Sequence, residues 1–282
     1  MNTLSNQAAN GQRINKLSDD SASANRILDM QEEKGRITQY TRNSERAENI
    51  NNTTISQLNN LLATSERINE IAVLSNDLKG EEGLQAYAEE VNELIEHALQ
   101  SVNSRFNGEY IFGGIASGNP PFEVNTDADG HIVEPATGDA VTYVGAEDGP
   151  SFHLSETGKV EPFTDGDTNR KFSDFLNRMV ELRDALESGN SNAVTQTMRE
   201  DLEASEDDLI FTLSRQGSVQ MRIDFDKNLN EQRFSDLESN ISAEADVDIA
   251  QVMVMLTQAQ TSYQATLQSA GQILNSSLLD YV

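Results

Sequence analysis

The 282-residue chain has no cysteine and no tryptophan, only five prolines, and 20 Lys+Arg against 47 Asp+Glu, for a net charge of −27. The missing cysteine excludes disulfides, thiol nucleophiles, iron–sulfur clusters and Cys-ligated zinc. The shortage of bases argues against nucleic acid as a partner, which needs a basic face, and against docking on an anionic membrane. Long apolar runs are absent as well. The densest, Val252 to Leu256, is far short of the ~20 residues a membrane helix needs, so no membrane insertion is expected. Met1 to Gly11 is polar, with neither a basic nor an apolar signal-type region, so a signal-peptide route is unsupported. The apolar fraction of 37% is enough for a folded, soluble protein with a core.

What proline and glycine there is lies together. All five prolines and ten of the 17 glycines fall within 107–168, which holds 12 acids and one base, Lys159. Such a shift in composition marks an insert between two flanking regions. The reading divides the chain into an N-terminal helical region (1–106), an inserted β-rich domain (107–168), a C-terminal helical region (169–244) and a terminal coiled-coil helix (245–282).

The flanks carry helical periodicity. Ile50, Thr54, Leu58, Leu61, Ser65, Ile68 and Ala72 recur at three- and four-residue steps. Ser18, Asp19 and Asp20 supply cap oxygens and first-turn charge before them. Further stripes run from Leu84 to Val102, from Phe172 to Leu186, from Val194 to Ile241, and from Ile249 to Leu278. Many positions on these stripes are Ser, Thr, Gln or Ala, so the seams should pack closely but weakly and depend on partners. In the insert, Tyr110 to Phe112, Pro121 to Val124, His131 to Val133, Val141 to Val144, Ser151 to Leu154 and a hairpin at Glu156 to Val160 read as short antiparallel strands. The fold class expected is mainly α with an inserted β domain: long antiparallel helices in a coiled-coil-like rod plus a small antiparallel β-rich domain.

Catalytic and metal signals are poor. Asn125, Asp127, Asp129 and Gly130 match the first half of a calcium loop, but the twelfth position is Ala136 where a Glu is needed, and the flanks read as strands. A polar turn is the better reading. Asp165, Asp167 and Asn169 straddle a boundary and carry the same objection. Glu93 and His97 are an i,i+4 pair with no second ligand pair, as on a solvated helix face. Gly108 to Gly114 lacks the Gly-Lys-Ser/Thr of a phosphate loop. Asp19-Asp20 suits a helix cap better than an acid/base pair. No nucleophile–base–orienter set emerges, so no catalytic residues, no metal and no cofactors are assigned, and the enzyme class is disfavoured.

Several stretches together carry a resemblance. Asn10-Gly11-Gln12-Arg13-Ile14-Asn15-Lys16-Leu17-Ser18-Asp19-Asp20, Asn107-Gly108-Glu109-Tyr110-Ile111-Phe112-Gly113-Gly114, Val141-Thr142-Tyr143-Val144-Gly145, Asp246-Val247-Asp248-Ile249-Ala250 and Ser277 to Val282 resemble, in order and spacing, the signatures of the flagellin superfamily. Within it the chain resembles the hook-associated protein 3 family, the hook–filament junction proteins. The resemblance implies a structural, self-assembling protein of the bacterial flagellum: a rod-shaped subunit with paired terminal helices and a β-rich domain projecting outward, joining hook to filament without catalysis. The partners implied are copies of itself, a neighbouring hook-associated protein, flagellin, and an export chaperone on the C-terminal helix. The location implied is extracellular, in the flagellum, after export unfolded through the flagellar type III channel. Members carry further chain before the first signature, whereas Met1 stands ten residues before Gly11. The chain therefore reads as a shortened form, and the stripe from Ile249 to Leu278 as a helix that would fray without its partner.

Leu256, Tyr263, Leu267, Leu274, Leu278 and Leu279 are the candidate assembly seam; an ordinary helix core within one chain would use the same residues. Two rival readings stand beside the junction subunit. One is a minor flagellin filament subunit. The other, from a different class, is a cytoplasmic coiled-coil adaptor or signalling rod, which would have no need of the β insert.

Overall fold

The computed structural model describes residues 2–16, 18–75, 80–127, 132–134, 138–189 and 193–279, with side chains to 272. Among the described residues six helices dominate: α1 Asn2–Asn10, α2 Ser21–Leu74, α3 Glu81–Val102, α4 Gly166–Glu187, α5 Gln196–Ala245 and α6 Ile249–Leu279. Between α3 and α4 the described residues form six short strands in three antiparallel pairs: β1 Arg105–Phe106 with β2 Glu109–Tyr110, β3 Phe122–Val124 with β4 Val141–Tyr143, and β5 Phe152–His153 with β6 Lys159–Val160. The fold is mainly α with a small antiparallel β portion. Among the described residues no helix is long and apolar enough to cross a membrane.

The chain divides into two compact units, 1–39 with 229–282 and 40–228. In the second, the periodic stripe of α2 is buried in full: Ile50, Thr54, Leu58, Leu61, Ser65, Ile68 and Ala72 are all 4% exposed or less. Facing α2 is α5. Asn51 Nδ2 donates to the Gln216 carbonyl at 3.2 Å and to Gln220 Oε1 at 2.9 Å, and Glu48 pairs with Lys227 at 2.9 Å. Residue numbers fall on one helix as they rise on the other, so the two run antiparallel. This seam is partly polar, as its Ser and Thr content foretells. Thr54 and Thr212 return their hydroxyls to the carbonyls of Ile50 and Asp208, one turn back. Asn51 Oδ1, Ser65 Oγ and Gln216 Oε1 are buried without partners among the described residues.

α3 and α4 pack together and bury Val91, Ile95 and Ala98 against Phe172, Phe175, Leu176, Met179 and Leu182. The insert has little core of its own. Ile111, Phe112, Phe122 and Val141 belong to this same cluster, and Phe112 meets Phe172 edge-on at 5.8 Å. Its turns are specified locally. Asn107 and Gly108, at φ 51° and 88°, form the two-residue hairpin between β1 and β2. Gly114 sits at φ 61°, and a Cβ there would stand 2.7 Å from the Asp148 carbonyl, so only glycine fits. Asn103 closes the entry to the insert, exchanging hydrogen bonds with the backbone of Phe122 at 3.0 and 3.1 Å. Of the expected strand Tyr110 to Phe112 only Tyr110 is extended. Ile111 and Phe112 turn inward, because the core claims both side chains. The expected strand His131 to Val133 is reduced to a single bridge between Ile132 and Thr126, and His131 lies outside the described residues.

In the first unit the helices again run antiparallel, with Arg26 on Glu244 at 3.0 Å and Lys34 on Glu238 at 3.0 Å. Among the described residues its buried apolar side chains are few: Ala24, Ile37, Leu237 and Val252. α1 packs on the start of α6 through half-buried Leu4, Gln7 and Ala8. Beyond that α6 is bare, with every side chain from Thr261 to Ala270 exposed. The helix is nonetheless continuous to Leu279, where the sequence pattern suggests fraying. It contains no proline and is rich in Ala, Gln and Leu, residues that hold a helix by intrinsic preference.

Candidate functional site

Two stretches that carry the sequence resemblance, from opposite ends of the chain, meet in the first unit. The loop after α1 passes the break between α5 and α6. Arg13 N donates to the Ala245 carbonyl at 2.6 Å, Val247 N donates to the Gly11 carbonyl at 3.0 Å, and Gln12 pairs with Asp246 as an antiparallel bridge. Gly11 stands at φ 72°, which permits this turn out of α1. The Arg13 guanidinium caps the end of α5, donating to the Glu244 carbonyl from Nε at 3.2 Å and Nη2 at 3.0 Å. Nη1 reaches Asp20 Oδ2 at 3.3 Å and Nη2 also reaches Ser23 Oγ at 3.2 Å. One side chain therefore ties the signature loop, the start of α2 and the end of α5.

Asp19 and Asp20 do cap, and each has its own task. Asp20 Oδ1 accepts from Ser23 N at 3.1 Å and opens α2. Asp19 Oδ2 accepts from the Asn15 and Lys16 backbone N–H groups at 3.1 and 2.9 Å and closes the loop on itself. Hydrogen bonds from the backbone and side chain of Ser23, with Arg13 adding its charge, hold the Asp20 carboxyl down at about 2. The Glu244 carboxylate is lowered chiefly by Arg26, whose Nε and Nη2 donate to its two oxygens at 3.1 Å each. Asp248 in turn caps α6, its Oδ1 accepting from Ala250 N at 2.9 Å and Gln251 N at 3.2 Å.

Past this junction lies the candidate seam. Leu256 is half-buried, while Tyr263 and Leu267 are each 55% exposed. Leu274, Leu278 and Leu279 lie on α6, but their side chains are outside the described residues. Val254 is 67% exposed, and Met253, Val254 and Thr257 line a shallow groove with Gln258 and Thr261. The site offers an uncovered apolar helix face beside a hydrogen-bonded joint.

The other sequence candidates fall elsewhere. Asp129, Gly130 and Ala136 lie outside the described residues, and Asn125 Nδ2 is spent on the Asp139 carbonyl at 2.9 Å. Asp165 is the N-cap of α4, accepting from Thr168 N at 2.9 Å and from Arg215 at 2.5 Å. Partial burial pushes its carboxyl up, but these hydrogen bonds prevail and hold it at about 2. Asn169 is fully buried and donates to the Phe112 carbonyl at 3.0 Å and to Tyr143 Oη at 3.1 Å, so its role is to pin the insert. Glu93 and His97 are exposed on α3.

Sequence reasoning missed Arg13, Arg26 and Glu244 as a set, and also an exposed stripe on α5: Phe211, Met221 and Phe225, each 68% exposed or more. A second apolar register on α5, offset from the buried one through Leu202, Leu209 and Ile223, was the available signal.

Residues 1–117 match the family model of the bacterial flagellin N-terminal helical region. Comparison with curated protein sequences returns no match. Several solved structures share the fold. FlgL of Bacillus cereus is 19% identical, with a TM-score of 0.63 over 76% of this chain and 99% of that one. A candidate flagellar hook-associated protein of Vibrio parahaemolyticus is 13% identical, with a TM-score of 0.69 over 81% and 100%. Flagellar hook-associated protein 3 of Legionella pneumophila is 12% identical, with a TM-score of 0.64 over 77% and 98%. The chain thus has the fold seen in flagellar hook-associated proteins, entered through a flagellin-type N-terminal helical region.

Proposed function

We propose that this protein is a non-enzymatic structural subunit of the bacterial flagellum, placed at the hook–filament junction and working by self-assembly. The observation that carries this reading is the joint of Gly11, Arg13 and Asp20 with Glu244 to Val247, built from the stretches that carry the resemblance. It holds α6 in place with an apolar face uncovered. An isolated helix with Met253, Val254, Tyr263 and Leu267 in water gains by being covered. The cover is the terminal helices of neighbouring subunits, both of this protein and of the adjoining hook-associated protein and flagellin. Before assembly, the same face suits an export chaperone that keeps it from aggregating on the way out through the flagellar type III channel. The seam residues are Leu256, Tyr263, Leu267, Leu274, Leu278 and Leu279.

Immunogold labelling of isolated flagella tests the placement. A single band of label between hook and filament is expected, and deletion of the gene should leave hooks without attached filaments. Label along the filament would instead favour a minor flagellin, to which the match over residues 1–117 also points. Absence from isolated flagella would overturn both.

A further inference from the structure

The outer face of α5 within residues 196–228 carries an acidic strip at its start and an arginine pair further along, with Asp224, which accepts from Gln220, also exposed beside the latter. At its start Glu200, Glu203 and Asp207 are exposed. Further along come Arg215 and Arg222, flanking the exposed Phe211, Met221 and Phe225. Glu200 and Asp207 are seven residues apart, and so are Arg215 and Arg222, so each pair lies on one strip of the helix two turns apart. The arginines border an open groove of about 360 Å³ between α5 and β6, which Lys159 and Ser218 also line. Lys159 and Arg215 are engaged with Glu161 and Asp165, but Arg222 makes no ion pair among the described residues, and neither does Asp207. Three cations around one groove, with Glu161 the one acid lining it, are unexpected in a chain of net charge −27.

We propose that this face is a lateral contact between copies of this chain, in which the Glu200/Asp207 strip of one copy docks on the Arg215/Arg222 strip of the next. The inference rests on the self-assembly reading and adds a contact on α5, separate from the α6 seam. Two observations select a second copy as the occupant. The acidic and basic pairs share one spacing, so a single stagger of fifteen residues, about 22 Å along the helix, sets Glu200 against Arg215 and Asp207 against Arg222 at once. The same stagger brings Ile210, 44% exposed, level with the exposed Phe225 of the neighbour, so apolar surface is covered where charge is matched. The contact is heterologous. Each copy that docks through one strip leaves the other unused, and because every contact adds the same shift along the helix the contact propagates as an open helical array instead of stopping at a dimer.

The test is a charge exchange on the full chain, read by sedimentation velocity at low and high salt with circular dichroism to check the fold. The parent should associate with rising concentration, and less so at high salt. Arg222→Glu alone and Asp207→Arg alone should each weaken association about tenfold, because attraction becomes repulsion at the contact. An equimolar mixture of the two variants should recover association. At one interface the two exchanged charges then face each other with opposite sign, and at the alternate interface the native pair meets. If the parent associates and either single variant associates equally well, or if the mixture fails to recover, this contact is wrong while the self-assembly reading stands. If the parent stays monomeric at every concentration, the self-assembly reading itself fails.

Discussion

The two units are held by different means. In 40–228, α3, α4 and the insert close around large apolar side chains, with Phe112, Phe122, Phe172 and Phe175 all 2% exposed or less. In 1–39 with 229–282, hydrogen bonds and ion pairs converge on Arg13, Arg26 and Glu244, few apolar side chains are buried, and α6 stands largely uncovered. Apolar burial is strong and is not screened by salt, whereas exposed ion pairs are each weak and screened. The second unit therefore has the burial to be stable alone, while the first leaves apolar side chains of α6 such as Tyr263 and Leu267 exposed.

The largest test of this contrast lies in the apolar unit. Phe112→Ala removes a fully buried ring packed on Phe172 and should lower stability by about 3–5 kcal/mol in denaturant titration. Next is Arg183, 3% exposed, whose Nη1 donates to the Ile132 carbonyl at 2.6 Å and to Asn92 at 3.2 Å. Arg183→Ala leaves those acceptors without their donor and should cost about 1–3 kcal/mol in the same assay. Arg13→Ala should have a smaller, local effect of about 1 kcal/mol. Hydrogen exchange should quicken at residues 11–26 and 242–252 while the main unfolding transition stays in place.

The pH dependence divides between the units. Asp20 and Asp165 are both held at about 2, below the ordinary 3.8. Their contribution is complete above about pH 5 and is lost as pH falls through about 2, since the unfolded chain takes up protons first. Asp20→Asn should flatten the acid limb for the α2 start alone, read by exchange at its first turn, and Asp165→Asn that for α4. The smallest change is expected at Ser65, whose buried hydroxyl has no partner among the described residues. Ser65→Ala should alter stability by under about 0.5 kcal/mol or raise it slightly.

Periodicity made the helices legible. The α2 stripe from Ile50 to Ala72 is buried at every position, because a long helix must turn one face to its neighbour. The hairpin at Asn107-Gly108 was missed, although an Asn-Gly pair, suited to two successive positive φ values, is a signal that the sequence does carry. The joint of Arg13 with residues 244–247 was not legible. Its acceptors are backbone carbonyls at the far end of the chain, and a carbonyl leaves no mark in a sequence. The last stripe, Ile249 to Leu278, has the same periodicity as the others, yet Tyr263 and Leu267 are exposed. A pattern reports that a face seeks cover, and says nothing of whether the cover comes from the same chain. The strand pattern at Tyr110 to Phe112 failed for a related reason: a short apolar run reads alike as strand or as inward-turned loop.

The most direct measurement is hydrogen exchange along the chain, free in solution and after incorporation at isolated hooks. The expected result is that α3 and α4 are protected in both states, while α6 between Met253 and Ala270 exchanges fast when free and becomes protected on incorporation. If α6 is as protected as α3 in the free chain, or remains unprotected after incorporation, the division between a self-sufficient unit and a partner-completed one is contradicted.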